Sequence, residues 1–87
     1  METVKYVIVA GDPLNGMFFS GMEKGDTGRY ATVTYSFEEA WKWGSKDGVK
    51  AFKSVVDACI NTPEGGWNIC SMLVVGDKCI TPPKILR

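Results

Sequence analysis

Apolar runs separated by turn-forming residues dominate the first part of the chain and predict three strands. Val4 to Ala10 is β-branched, aromatic and almost continuously apolar, which is typical of a central strand covered on both faces. Gly11 to Gly16 contains a proline, an aspartate and an Asn-Gly pair, and it predicts a turn. Met17 to Met22 then forms a hairpin with the first strand. Arg29 to Tyr35, in which polar and apolar residues alternate, is a third strand.

The middle of the chain has the spacing of helices. Ser36 to Glu39 is typical of a capping box, which predicts a short helix from Phe37 to about Trp43. An extended structure for Ala40 to Trp43 is the alternative. The main helix begins at Ser45 and runs to about Ile60. Its predicted buried stripe has apolar residues at spacings of three and four: Val49, Phe52, Val55, Val56, Cys59 and Ile60.

The last third of the chain predicts further strands and a tail. A proline and two glycines end the helix, and Trp67 to Val75 is a strand. A tight turn at Gly76 to Lys78 leads into Cys79 and Ile80, and residues 81–87 form an extended C-terminal tail. The order β-β-β-α-α-β over residues 1–87 predicts a single α+β domain. In it, an antiparallel sheet of four to five strands packs on one main helix and a short helix.

Charge and cysteine usage narrow the class of protein. Ten basic and ten acidic residues give a formal net charge of zero, so direct nucleic-acid binding, which needs a basic surplus, is not expected. Three cysteines without close pairs argue against a secreted disulfide framework. The chain shows no signal-peptide pattern and no apolar run of membrane-spanning length. We therefore expect a cytoplasmic protein without membrane contact.

The residue types needed for common catalytic sites are missing. The chain has no histidine, which is the commonest general base and metal ligand. The cysteines lack the Cys-x-x-Cys spacing of zinc sites, and Gly25 to Gly28 lacks the lysine and following helix of a phosphate-binding loop. We expect neither an enzyme nor a cofactor or metal site.

Aromatic and basic residues are the features that favour binding. In the predicted short helix, Trp41 and Trp43 are about 200° apart, so at least one of them is exposed. An exposed indole beside Lys42 and Lys46 is typical of a base-stacking or protein-contact surface. The lysines at 42, 46, 50 and 53 have two interpretations, either a solvated face with a Lys53–Asp57 pair or an anion-binding strip.

Two further pairs of residues complete the predicted site. Arg29 begins a strand beside a glycine-containing loop, where it could hold a phosphate while Tyr30 stacks a base. The alternative is that Arg29 blunts the edge of a sheet. Phe18 and Phe19 are consecutive in a strand, so they point to opposite faces. The predicted ligand-binding residues are therefore Phe19, Arg29, Tyr30, Trp41, Lys42, Trp43 and Lys46.

One N-terminal stretch resembles a group of known proteins. Tyr6 to Gly21 has a strand, a Gly-Asp-Pro-Leu-Asn-Gly turn and an aromatic strand, and it resembles the start of many small accessory proteins encoded by tailed bacteriophages. Glu38 to Trp43, followed by an amphipathic helix, is similar to the same group. The resemblance implies a protein that binds and disables a host component.

The resemblance leads to one leading expectation and two alternatives. The first is a host-defence antagonist that sequesters a nucleotide-like immune signal, as a homo-oligomer since so small a core benefits from self-association. The second is a protein-directed inhibitor, such as an anti-CRISPR that blocks a host effector nuclease. The third is a structural or dimerising phage protein without an inhibitory role.

Overall fold

The protein is an α+β domain, which confirms the predicted class. The computed structural model describes residues 2–76, 78–79 and 81–86, and these contain one α-helix and a six-stranded antiparallel sheet. The elements are β1 (Glu2–Ala10), β2 (Phe18–Lys24), β3 (Arg29–Thr34), α1 (Lys46–Asp57), β4 (Trp67–Val75), β5 (Lys78–Cys79) and β6 (Lys84–Ile85). The strand order is β3-β2-β1-β4-β5, and β6 also pairs with β4.

The centre of the sheet is the pair β1 and β4, and both of its faces are covered. The two strands pair from Glu2 with Val75 to Ala10 with Trp67. Ile8 lies in the core under α1, whereas Val7 packs in a second apolar cluster on the opposite face. The prediction of a central strand covered on both faces is confirmed for Val7 to Ala10, which are buried, whereas Val4 is 45% exposed.

Helix α1 begins where the sequence predicts and ends earlier. The Ser45 side chain accepts a hydrogen bond from the Gly48 amide at 3.1 Å, so Ser45 is the N-cap. The helix ends at Asp57, and the chain then turns towards β3, where the Ile60 amide donates to the Arg29 carbonyl at 2.9 Å. Ile60 lies beyond the end of the helix and is 56% exposed. Its predicted place in the buried stripe is wrong.

The predicted short helix from Phe37 to Trp43 is not formed. Residues 37–39 make a turn, and the segment 41–43 is extended between β1 and β2. The Trp41 amide donates to the Phe19 carbonyl at 3.1 Å, while Tyr6 and Trp43 exchange two backbone bonds of 2.9 Å. Strands β1 and β2 pair at Val9 and Phe18, and the segment 41–43 occupies the space where they diverge. The alternative of an extended segment is the one observed.

The predicted capping box is replaced by a different set of hydrogen bonds. The Thr34 hydroxyl accepts from the Ser36 amide and donates to the Glu39 carboxylate, each at 3.0 Å. Glu39 therefore holds the turn through Thr34 rather than through the Ser36 backbone. In the structure the Glu39 carboxylate bonds a side chain at the end of β3, and the predicted helix cap is not formed.

Part of the β3 edge is covered by the chain after α1, and two short strands form the other edge of the sheet. At the β3 edge, the Asn61 side chain accepts from the Ala31 amide at 2.7 Å and donates to the Ala31 carbonyl at 2.8 Å. At the other edge, β5 and β6 pair with separate parts of β4, so part of the predicted tail is a strand. Such coverage hinders pairing with strands of other chains. The predicted roles of Asp77, Ile80 and Arg87 lie outside the described residues.

Candidate functional site

On the α1 side of the sheet, four aromatic rings cluster around a fifth, that of Phe19, which is fully buried. The centroid of the Phe19 ring lies 5.3 Å from that of Trp41, 6.0 Å from those of Phe52 and Trp67, and 6.5 Å from that of Trp43. Trp41 and Trp43 each lie 5.4 Å from Phe52. Two of these pairs, Phe19 with Trp41 and Phe19 with Trp67, have the edge-to-face geometry that aromatic rings prefer. Trp41 is nevertheless 42% exposed.

The backbone explains why the two tryptophans lie together. In an extended segment, residues two apart point to the same side, so Trp41 and Trp43 are neighbours with ring centroids 6.3 Å apart. The expectation that they point to opposite sides of a short helix is wrong, because that helix is not formed. The Trp41 indole lies beside Gly21, since an added Cβ there would be 3.9 Å from the Trp41 Nε1, an ordinary van der Waals distance.

One flank of α1 continues this surface. Gly48 lies against Trp43, since an added Cβ would be 3.6 Å from the Trp43 Cδ1. With about 100° per residue, Gly48, Phe52 and Val55 fall within roughly 60° of arc on the helix. Val55, predicted to be buried, is 40% exposed. We call Trp41, Trp43, Phe52 and Val55 the aromatic surface.

The lysines of α1 lie on the other flank of the helix. Lys46, Lys50 and Lys53 are about 100° to 160° around the axis from Phe52. Lys53 forms the predicted pair with Asp57, with an Nζ to Oδ2 distance of 2.7 Å. The structure therefore separates Lys46 from the tryptophans with which the sequence analysis grouped it.

Lys42 belongs to the opposite face of the sheet. It stands between two residues that point towards α1, so its own side chain points away. Its Nζ donates to the carbonyls of Glu38 and Ala40 at 3.0 and 2.9 Å, and it lies 4.9 Å from the centroid of the Phe37 ring. The predicted neighbourhood of Lys42 and an exposed indole is wrong.

Arg29 and Tyr30 lie at a third place, in the β2–β3 hairpin. The Tyr30 hydroxyl donates to the Glu23 carboxylate at 2.9 Å, and this bond to an anion raises the pKa of Tyr30. Arg29 lies at the end of α1 that contacts β3, whereas Trp43 lies against its first turn. The 12-residue helix separates these ends by about 18 Å. The predicted residues that the structure brings together are Phe19, Trp41 and Trp43.

A cavity of about 330 Å³ on the face opposite α1 is the feature that the sequence analysis missed. It is lined by Lys5, Phe37, Glu38, Lys42, Val74 and Gly76. The available signal was Lys5, the one charged residue within the apolar run from Val4 to Ala10. A strand pattern shows which face a residue lies on, but it does not show which loop will cover that face.

Cys70 does not have the properties of a reactive thiol. Cys70 is fully buried, and burial raises the pKa of its thiol to about 11, so the thiol is neutral at pH 7. Among residues 2–76, 78–79 and 81–86, no three histidine, cysteine or acidic side chains are grouped as metal ligands would be. In the same ranges, no helix has both the length and the apolar character to cross a bilayer.

Comparison with known proteins does not assign the chain to a family. No protein-family model matches the sequence, no curated protein matches it, and no solved structure matches the fold. The resemblance of the N-terminal stretch to phage accessory proteins therefore stays a prediction. The aromatic surface and the cavity are the two features from which a function can be inferred.

Proposed function

We propose that this protein is a non-enzymatic binding protein whose aromatic surface contacts a protein partner. The observation that supports this proposal is the exposure of Trp41, at 42%, within a cluster of packed rings. Tryptophan is the residue type most enriched at the energetic centres of protein interfaces. An indole in this position offers a partner a large apolar contact.

The surroundings of Trp41 reduce the entropic cost of binding. Its amide is bonded to the Phe19 carbonyl, and its ring touches Phe19, Trp43 and Phe52. Ordering a free side chain at an interface costs about 0.5–1.5 kcal/mol, and a side chain that is already held avoids most of that cost. The surface is therefore pre-organised for contact.

The distribution of charge favours a protein over a nucleotide at this surface. A nucleotide needs cations close to the ring that stacks its base, but Lys42 points to the opposite face and Lys46 lies on the far flank of α1. Within the described part of the chain, ion pairing is limited to Lys53 and Asp57.

The partner is thus a protein with an apolar pocket for Trp41. In the biological setting implied by the phage resemblance, the protein is a host-defence antagonist that blocks an effector by occupying its surface in a fixed ratio. Sequestration of a nucleotide-like signal through the aromatic surface is the weaker alternative, because the cations lie elsewhere.

A pull-down combined with photo-crosslinking tests the proposal. Wild type, Trp41→Ala and the control Tyr35→Ala are used as baits in bacterial lysate; Tyr35 is 75% exposed and lies outside the aromatic surface. The proposal requires a protein that binds wild type and Tyr35→Ala in a defined ratio and loses at least about 30-fold in affinity for Trp41→Ala. A photo-crosslinker at position 55 should capture the same protein, and one at position 35 should not.

Two results would contradict the proposal. One is equal binding by wild type and Trp41→Ala, with circular dichroism showing that both are folded. The other is native mass spectrometry in which a nucleotide binds wild type at a defined ratio and is lost from Trp41→Ala.

A further inference from the structure

We propose a second binding site, in which the cavity on the face opposite α1 takes a small organic monoanion between Lys5 and Lys42. The cavity lies between β1, the end of β4 and the turn at residues 37–42. Its volume of about 330 Å³ is within the range of small-ligand sites, which begins at roughly 300 Å³. The site is separate from the aromatic surface and independent of its proposed partner.

Lys42 supplies a fixed positive charge at one side of the cavity. An ammonium has three N–H donors, and the Lys42 Nζ gives two of them to the Glu38 and Ala40 carbonyls. The Phe37 ring, 4.9 Å from the same Nζ, supports it through a cation–π contact. Within residues 2–76, 78–79 and 81–86 the third donor has no acceptor, so it is open to a ligand, and the side chain needs little ordering when the ligand binds.

Lys5 supplies the second charge. It lies on the same face of the sheet as Val7 and enters the cavity from β1. The Lys5 ammonium lies beside Gly44: its Nζ is 4.0 Å from the position that a Cβ of residue 44 would occupy. Lys5 and Lys42 thus come from strand and turn segments far apart in sequence to line one cavity.

The remaining lining restricts the chemistry of the ligand. Val74 and the Phe37 ring are apolar walls suited to a flat organic group. Glu38 lines the same cavity, so the lining side chains among the described residues, two lysines and one glutamate, sum to one positive charge. One surplus charge favours a monoanion, either an aromatic carboxylate or a phosphodiester, over a polyphosphate.

A ¹⁵N NMR titration tests this site on the full chain. The probes are benzoate and 3′,5′-cyclic AMP, which distinguish the carboxylate from the phosphodiester, and uncharged benzamide. We expect saturable shifts at the amides of Lys5, Glu38, Lys42 and Gly76 with at least one of the two anions. Lys5→Met should weaken that binding by at least about tenfold, since a charge-assisted hydrogen bond is lost.

Lys24→Met is the matched control, because it removes the same charge from the exposed β2–β3 hairpin. It should retain the wild-type affinity for the anion. The proposal is overturned by shifts confined to residues 46–53, by equal affinities of wild type and Lys5→Met, by benzamide binding as tightly as benzoate, or by no saturable shift with either anion. None of these outcomes bears on Trp41, so this proposal and the protein-binding proposal can fail separately.

Discussion

Trp41 stands edge-on to Phe19, with ring centroids 5.3 Å apart and planes at 85°, and its amide is bonded to the Phe19 carbonyl. Phe19 thus holds Trp41 in two ways, through its carbonyl at the backbone and through its ring at the indole. Phe19 is fully buried in β2, whereas Trp41 is in the inserted segment 41–43. This contact joins the core to the aromatic surface and explains how an exposed indole is held in place.

Replacing Phe19 should therefore damage both stability and the proposed binding surface. Phe19→Ala removes a ring that touches Trp41, Trp43, Phe52 and Trp67, and should lower the free energy of unfolding by about 3–5 kcal/mol. Urea denaturation followed by tryptophan fluorescence measures the loss. Tyr35→Ala, an exposed aromatic substitution, should change stability by less than about 0.5 kcal/mol. A similar loss in both variants would show that Phe19 is not central to the core.

Alanine substitutions at Gly11 and Gly16 should distinguish the energetic cost of backbone strain from the cost of a steric clash. Gly11 and Gly16 have φ angles of 66° and 68°, which alanine adopts only with strain. An added Cβ at Gly11 would lie 2.7 Å from the Glu64 carbonyl oxygen, whereas nothing lies within 4 Å of one at Gly16. Gly16→Ala should cost about 1–2 kcal/mol and Gly11→Ala distinctly more in thermal or urea unfolding. Equal losses of stability in the two variants would mean that the backbone at Glu64 shifts away from the new Cβ without an energetic cost.

Asn61 should matter for stability and for keeping the protein from associating through β3. Asn61→Ala removes two hydrogen bonds to Ala31 and should cost about 1–2 kcal/mol in urea unfolding. It also exposes the backbone groups of the β3 edge, so sedimentation should show more self-association at high concentration. Thr62→Ala, at the exposed next residue, is the control. The edge-capping role is wrong if both variants unfold and sediment like wild type.

The bond between Tyr30 and Glu23 predicts a titration at high pH. The Glu23 carboxylate raises the pKa of Tyr30 above the usual 10.0, first through the hydrogen bond and second through its charge. A pKa raised by folding gives stability that is present below the unfolded value of about 10 and is lost as the pH rises through the folded value. Glu23→Gln should lower the pKa of Tyr30 in an ultraviolet phenolate titration, with Tyr30→Phe identifying that step. An unchanged titration in Glu23→Gln would rule out the bond in solution.

Local patterns predicted several elements well. The strand Trp67–Val75 has the predicted bounds, and the helix begins at its predicted cap, Ser45. Phe18 and Phe19 lie in the two apolar clusters on opposite faces, as strand alternation requires. In each case the determining interactions lie within a few residues of one another, so the sequence pattern contains the information.

The candidate site was predicted only in part, for a reason visible at residues 37–43. The capping pattern favours a helix there, but the backbone groups of Tyr6 and Phe19 offer hydrogen bonds to an extended segment. Those partners are more than twenty residues away in the chain, so the local sequence pattern around residues 37–43 could not predict them. The extended backbone then places Trp41 and Trp43 together and turns Lys42 to the other face.

The sequence by itself determined the class of the protein: an α+β domain with a central apolar strand, a capped amphipathic helix and an abundance of aromatic residues without histidine. Tertiary structure alone decided which aromatic and charged side chains meet. It separated Arg29 and Lys46 from the tryptophans and placed Lys5 and Lys42 in the lining of one cavity. Periodicity in the sequence assigns a residue to one face of a strand or helix. Which side chain from another segment it meets depends on backbone hydrogen bonds between distant parts of the chain.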